Sequence, residues 1–121
     1  MKKVLLINGS PNEKGCTALA LEEIASTLKK RGIESDIKQI GKKPVAGCIA
    51  CYSCARTGRC AFNDAVNEMI ESLDSYGALV VGSPVYYGSA TGQICCLLDR
   101  LFFAGGRLMD GKVGACVVSC R

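Results

Sequence analysis

Cys48, Cys51, Cys54 and Cys60 fall within thirteen residues of a 121-residue chain, in the stretch GCIACYSCARTGRC, and their C-x2-C-x2-C-x5-C spacing points to a metal or redox centre. Two-residue gaps let a short turn carry neighbouring sulfurs round to one side, and the fourth cysteine, five residues on, can close the cage. A 4Fe-4S cluster takes four thiolates held by runs of this kind, whereas zinc prefers two C-x2-C pairs set further apart. The spacing puts an iron–sulfur cluster first, with zinc or an empty site as the alternatives. Disulfides fit less well. Nine cysteines leave one over in any full pairing, and the apolar run Val4-Leu5-Leu6-Ile7 after Met1-Lys2-Lys3 is too short for a secretion signal, so a reducing, cytoplasmic setting is expected. Cys16, Cys95, Cys96, Cys116 and Cys120 stand mostly among apolar neighbours, where buried small hydrophobes are expected.

Two further segments carry chemistry. The stretch GSPNEKGCT, Gly9 to Thr17, is rich in hydroxyls, glycine and exposed amides and runs into an expected helix N-terminus, whose free N–H groups and dipole favour an anion such as phosphate. It has neither the Gly-Lys-Ser/Thr of a Walker A loop nor G-x-G-x-x-G, so a monophosphate held without an essential lysine is the better reading. A plain strand-to-helix turn capped by Thr17 is the alternative. The second stretch, SPVYYGSATGQ, sets Tyr86 and Tyr87 in an irregular backbone whose peptide groups from Pro84 to Gly88 could pair with a heteroaromatic edge. Taken singly, the tyrosines could be packing residues. Joined to a phosphate loop at the same sheet edge, they describe FMN.

The elements that must position these groups alternate. Lys3 to Asn8 reads as a buried parallel strand, Thr17 to Arg31 as a helix stopped by Gly32, and Ile33 to Ile40 as an edge strand. After the cysteine loop come a helix from Asp64 to Ser75, a central strand from Ala78 to Gly82, an apolar helix from Gly92 to Phe103 and a fourth strand from Lys112 to Ser119. This order implies one domain, residues 1–121, of α/β class with a doubly wound parallel sheet and a cysteine-rich insertion at about 44–62. Ligands then sit beyond the carboxyl ends of the strands, where the loops after Asn8, Gly82 and Ser119 emerge. The chain has no histidine, which removes the commonest general base and nitrogen ligand. Its net charge of +4 comes from dispersed lysines and arginines, an ordinary solvated surface rather than a nucleic-acid stripe, and no stretch is long enough to span a membrane.

Lys3 to Thr17, the Cys48 to Cys60 run, and Leu79 to Phe102 (LVVGSPVYYGSATGQICCLLDRLF) together resemble the flavodoxin-like NAD(P)H-dependent FMN reductase superfamily, and the compact cysteine motif points within it to the iron–sulfur flavoproteins. The resemblance extends over essentially the whole chain. It implies that Ser10, Asn12, Cys16 and Thr17 surround an FMN phosphate, that Pro84, Val85, Tyr86, Tyr87 and Gly88 line the ribityl chain and flavin ring, and that Cys48, Cys51, Cys54 and Cys60 hold a 4Fe-4S cluster. It also implies a homodimer or homotetramer with its cofactors near subunit interfaces. For Asp99 and Arg100, which match a recurrent pair of the family, a helix-surface salt bridge or interface contact is expected. Members of the family continue past the fourth strand through a further loop, strand and helix, and against that pattern the last strand-helix unit is missing here, which would leave the fourth strand an apolar edge.

The expected function is electron transfer. Flavin exchanges between one- and two-electron chemistry while an iron–sulfur centre moves single electrons. Electrons would enter from a ferredoxin-like donor or from NAD(P)H and leave to a quinone or another acceptor. The alternatives are an NAD(P)H-dependent FMN or quinone reductase without a cluster, and a non-enzymatic, metal-stapled interaction module. No nucleic-acid or membrane partner is expected.

Overall fold

The computed structural model describes residues 2–120. Strand β1 (Lys3–Asn8) sends alternate side chains to opposite faces, as the two-residue period of a strand requires. Leu5 and Ile7 join a core with Val66, Met69, Ile70, Ile94, Leu97 and Leu101, while Val4 and Leu6 join a second with Leu21 and Val80. A strand buried on both sides needs a layer on each. Helix α1 (Cys16–Lys30) supplies one, and α3 (Ala65–Ser72) with α4 (Gly92–Gly105) supplies the other.

The sheet runs β2 (Ser35–Gln39), β1, β3 (Tyr76–Pro84), β4 (Val113–Ser119), with every neighbouring pair parallel. From β1 the chain first steps outward to β2 and then crosses back to β3, so the order reverses between β1 and β3. The loops leaving those two strands therefore open a crevice at their carboxyl ends. Two glycines let the layers close there. A Cβ on Gly82 would lie 2.9 Å from Thr17 Cγ2, and one on Gly9 would lie 2.8 Å from Ile94 Cβ and 2.9 Å from the Gly82 carbonyl oxygen.

Several local features differ from the sequence-based expectations. The first helix begins at Cys16 with Gly15 as its N-cap, and Thr17 is not the cap: its Oγ1 lies 3.0 Å from Ser119 Oγ instead. The expected helix to Ser75 ends at Ser72 and tightens into a 3-10 turn, Leu73–Ser75, where the Ser72 and Ser75 hydroxyls donate back to the carbonyls of Met69 and Ser72. The cysteine loop contains a short helix α2 (Cys54–Thr57), stopped by Gly58 at φ 69°. The five cysteines outside the loop are not buried: Cys16, Cys95, Cys116 and Cys120 are exposed and Cys96 is half-buried. Cys95 lies off the buried stripe of α4, and Cys116 belongs to a sheet-edge strand on which Val113 is 68% and Val118 58% exposed. Apolar neighbours along the chain do not bury a residue on an element packed from only one side.

Candidate functional site

Two clefts contain the chemically capable residues, and α4 joins them. The first lies at the crevice between β1 and β3. Its open volume of ≈ 710 Å³ falls in the range of about 300–1,000 Å³ usual for small-ligand sites. Ser10, Asn12, Cys16, Thr17, Pro84, Val85 and Tyr86 line it, together with Val118, Ser119 and Cys120.

The loop after β1 is held by side chains on three other segments. The Asn8 carboxamide oxygen accepts from the Ser10 amide at 2.9 Å, and the Ser10 hydroxyl accepts from the Asn12 amide at 3.1 Å. Gln39 Nε2 donates to the Ser10 carbonyl at 2.7 Å, and Thr91 Oγ1 donates to that of Gly9 at 2.6 Å. Thr91 also accepts from the Ile94 amide, capping α4, so one side chain both starts that helix and fixes the loop. These contacts point the N-terminus of the fifteen-residue α1 into the cleft, where its unpaired N–H groups suit an anion.

The loop after β3 is more ordered than expected. The Val85 amide donates to the Ser119 carbonyl at 3.1 Å and the Tyr86 amide to the Ser89 carbonyl at 2.8 Å, so these two peptide groups are not free for a ligand. Between Tyr86 and Ser89 the chain turns with positive φ at both Tyr87 (50°) and Gly88 (79°), the signature of a type I′ turn. Tyr87 and Gly88 form the exposed tip and do not line the cleft, whereas Tyr86 does.

The second cleft is lined by Cys48, Cys51, Cys54 and Cys60 with Ile49, Tyr52, Phe62, Arg100 and Phe103. The four cysteines thus share one apolar-walled hollow, although no three thiols or carboxylates among the described residues are drawn to metal-binding spacing. Two observations suit a bound anionic group. Ala50 (φ 54°) and Tyr52 (φ 59°) are left-handed on either side of Cys51, and Ser53 is right-handed, an alternation that makes anion-binding backbone nests. Each left-handed side chain costs ~1–2 kcal/mol, strain that a ligand-gathering loop can carry. The donor set is also right, four soft thiols without a competing imidazole. The Ser53 hydroxyl and amide beside Cys51 hold its thiol below its ordinary value.

Arg100 is not the surface partner of Asp99. Its side chain is 0% exposed and pairs with Asp64 through two contacts of 2.7 and 2.8 Å, while Asp99 faces solvent. Burial works to lower the Arg100 pKa, but the Asp64 carboxylate and the Cys60 sulfur raise it above its ordinary value. Burial likewise works to raise the Asp64 pKa, but Arg100 takes it below the usual carboxylate range. The sequence holds a signal for this: Arg100 falls on the same helical face as Ile94, Leu97 and Leu101, all buried. Thr91, Asn67 and Gln39 are likewise braces that motif reading passes over, because each acts through backbone atoms, those held by Thr91 and Gln39 lying 82 and 29 residues away.

The family model described as NADPH-dependent FMN reductase matches residues 2–121. An iron–sulfur flavoprotein of Archaeoglobus fulgidus is 35% identical over 119 residues, covering 97% of this chain and 58% of the relative. Another, from Methanocaldococcus jannaschii, is 34% identical over 98 residues, covering 81% of this chain and 51% of the relative. The chain therefore spans a little over half the length of these relatives. Among solved structures, the general stress protein 14 of Treponema denticola in complex with FMN matches with a TM-score of 0.62 at 17% identity, over 98% of this chain and 62% of that one, a likeness of flavodoxin-like fold.

Proposed function

The chain belongs to the NADPH-dependent FMN reductase family, with iron–sulfur flavoproteins among its relatives, and from that premise we propose that it is an FMN-dependent redox protein passing electrons between the flavin and a 4Fe-4S cluster. The observation that carries the reading is the pair of clefts on one helix. Thr91 at the start of α4 braces the phosphate loop, and Arg100, nine residues and about 14 Å along the axis, braces the cysteine loop.

In the first cleft the α1 amides receive the FMN phosphate, Thr17 and Ser119 present hydroxyls beside it, and Pro84, Val85 and Tyr86 form the wall for the ribityl chain and ring. Tyr87 and Gly88 stand at the rim. In the second cleft Cys48, Cys51, Cys54 and Cys60 hold the cluster, and Ile49, Tyr52 and Phe103 reduce access of water. The flavin supplies exchange between one- and two-electron steps and the cluster supplies single-electron transfer. With no histidine in the chain, the protein's part is to position these groups and to set their potentials through hydrogen bonds and local dielectric.

NAD(P)H or a ferredoxin-like protein would be the donor and a quinone or similar molecule the acceptor. A homodimer or homotetramer working in the cytoplasm is part of the same proposal. Among the described residues no helix is long and apolar enough to cross a membrane. A second reading, an FMN or quinone reductase whose cysteines bind zinc or nothing, is favoured by the four sulfurs not converging.

Anaerobic purification with a visible spectrum and assays of iron, sulfide, zinc and FMN tests both. Flavin bands with a broad iron–sulfur shoulder and about four irons per chain support the electron-transfer reading. Flavin without iron supports the second, and a colourless protein that cannot be reconstituted sinks both.

A further inference from the structure

We infer that Arg100 is a positioning residue for the cysteine centre, holding Cys60 as its pre-set ligand through an N–H···S hydrogen bond. The inference rests on the cluster reading above.

The four cysteines are not equivalent. Cys48 and Cys51 are exposed, and their sulfurs contact only neighbours two residues away, the Ala50 amide and the Ser53 hydroxyl, each at 3.5 Å. Cys54 Sγ reaches the Phe103 carbonyl at 3.9 Å. Cys60 is fixed at three atoms. Its amide donates to Asn67 Oδ1 at 2.8 Å, its carbonyl accepts from Asn67 Nδ2 at 2.9 Å, and its sulfur accepts from Arg100 Nε at 3.2 Å. Both partners belong to the packed helices, Asn67 at 2% and Arg100 at 1% exposure.

All five N–H groups of the Arg100 guanidinium have acceptors: the Cys60 sulfur, the carbonyls of Ala46 and Phe62, and both carboxylate oxygens of Asp64. Its plane also lies over the Phe62 ring, 5.2 Å from the centroid. Stability alone does not call for this arrangement, because a well-packed apolar group often serves as well as a buried ion pair. What an apolar group lacks is a donor aimed at sulfur. Lysine lacks the fork, so it could balance Asp64 but could not also reach Cys60, Ala46 and Phe62. A donor on a ligand sulfur favours the more negative, reduced state of an iron–sulfur centre and so raises its potential.

The full chain, reconstituted anaerobically, is compared with Arg100→Lys, Cys60→Ser and the double variant for iron loss to a chelator and for the midpoint potential. In Arg100→Lys iron should leave about ten-fold faster or more, and the potential should move negative. Adding Arg100→Lys to Cys60→Ser should change iron loss by less than about two-fold, since the sulfur through which Arg100 acts is already gone. A lysine variant that matches the parent in both readouts, or effects that add fully in the double variant, overturns the inference. If Arg100→Lys does not fold, NMR of the iron-free parent decides: the Arg100 Nε–H resonance should shift on Cys60→Ser and stay put on Cys48→Ser, and a resonance indifferent to Cys60 overturns the proposal. A parent that takes up flavin but no iron sinks the cluster reading and the ligand role with it, while the NMR comparison separately establishes whether Arg100 holds Cys60.

Discussion

At Asp36 the carboxylate accepts from the Tyr76 hydroxyl at 2.8 Å, with Lys3 Nζ at 3.5 Å. The tyrosine bond outweighs desolvation and, with Lys3, holds the carboxyl below its ordinary 3.8. A group whose pKa falls on folding adds stability above its unfolded value and loses it as pH drops through the folded one. Urea titrations from pH 7 to 3 should therefore show Asp36→Asn weaker than the parent by under about 1 kcal/mol at neutral pH, given the part-exposed site, and the gap should close below about pH 4. A constant gap would place the effect elsewhere. Tyr87 invites a different experiment. It is a bulky side chain at φ 50° in a turn that prefers Asn-Gly, so Tyr87→Asn should raise stability by up to about 1 kcal/mol. If the tyrosine covers bound flavin, FMN affinity should fall in the same variant; a gain in both would release Tyr87 from any role at the flavin.

Among the elements, α1 and β3 meet closely beside the cleft at the carboxyl ends of β1 and β3. Gly82→Ala would press a methyl against Thr17 and Leu21, so denaturation should show a loss of about 1–3 kcal/mol and FMN titration a weakened site. Elements of this kind were the legible part of the sequence. The strand Lys3–Asn8 and the helix starting beside Thr17 follow from apolar period and from Gly32, because their burial depends on near neighbours and on a sheet covered on both faces. Leu5 and Leu6 could be assigned to opposite layers by parity alone. Arg100 illustrates what stayed hidden: beside Asp99 it reads as a surface pair, yet its partners Ala46, Cys60, Phe62 and Asp64 are 36 to 54 residues away. The cysteine spacing was visible, but not which cysteine is anchored, since the Arg100 donor reaches the Cys60 sulfur from 40 residues away on α4. The exposure of Cys95 and Cys116 was hidden for a related reason, as local hydrophobicity does not reveal which face of an element meets a second layer.

As a whole, the molecule joins a packed sheet-and-helix body to a cysteine loop that is largely exposed from Cys48 to Arg59. The loop's strained residues and its weakly held sulfurs make it the region whose order should depend on metal. Limited trypsin digestion should cut the metal-free chain first after Arg56 or Arg59, and loading with iron and sulfide should slow those cuts by about ten-fold or more relative to cleavage elsewhere. Equal cutting with and without metal would mean that the loop gains no order from it. The dependence of the loop on α4 also bears on how such a centre could be moved between scaffolds. Grafting Cys48 to Cys60 alone onto another reductase would deliver four loose thiols, because the fixed one owes its place to residues outside the loop. The smallest portable module runs on through Asp64 and Asn67 and takes one turn of α4 around Arg100 with it, so the recipient must surrender part of its own core to accept the motif.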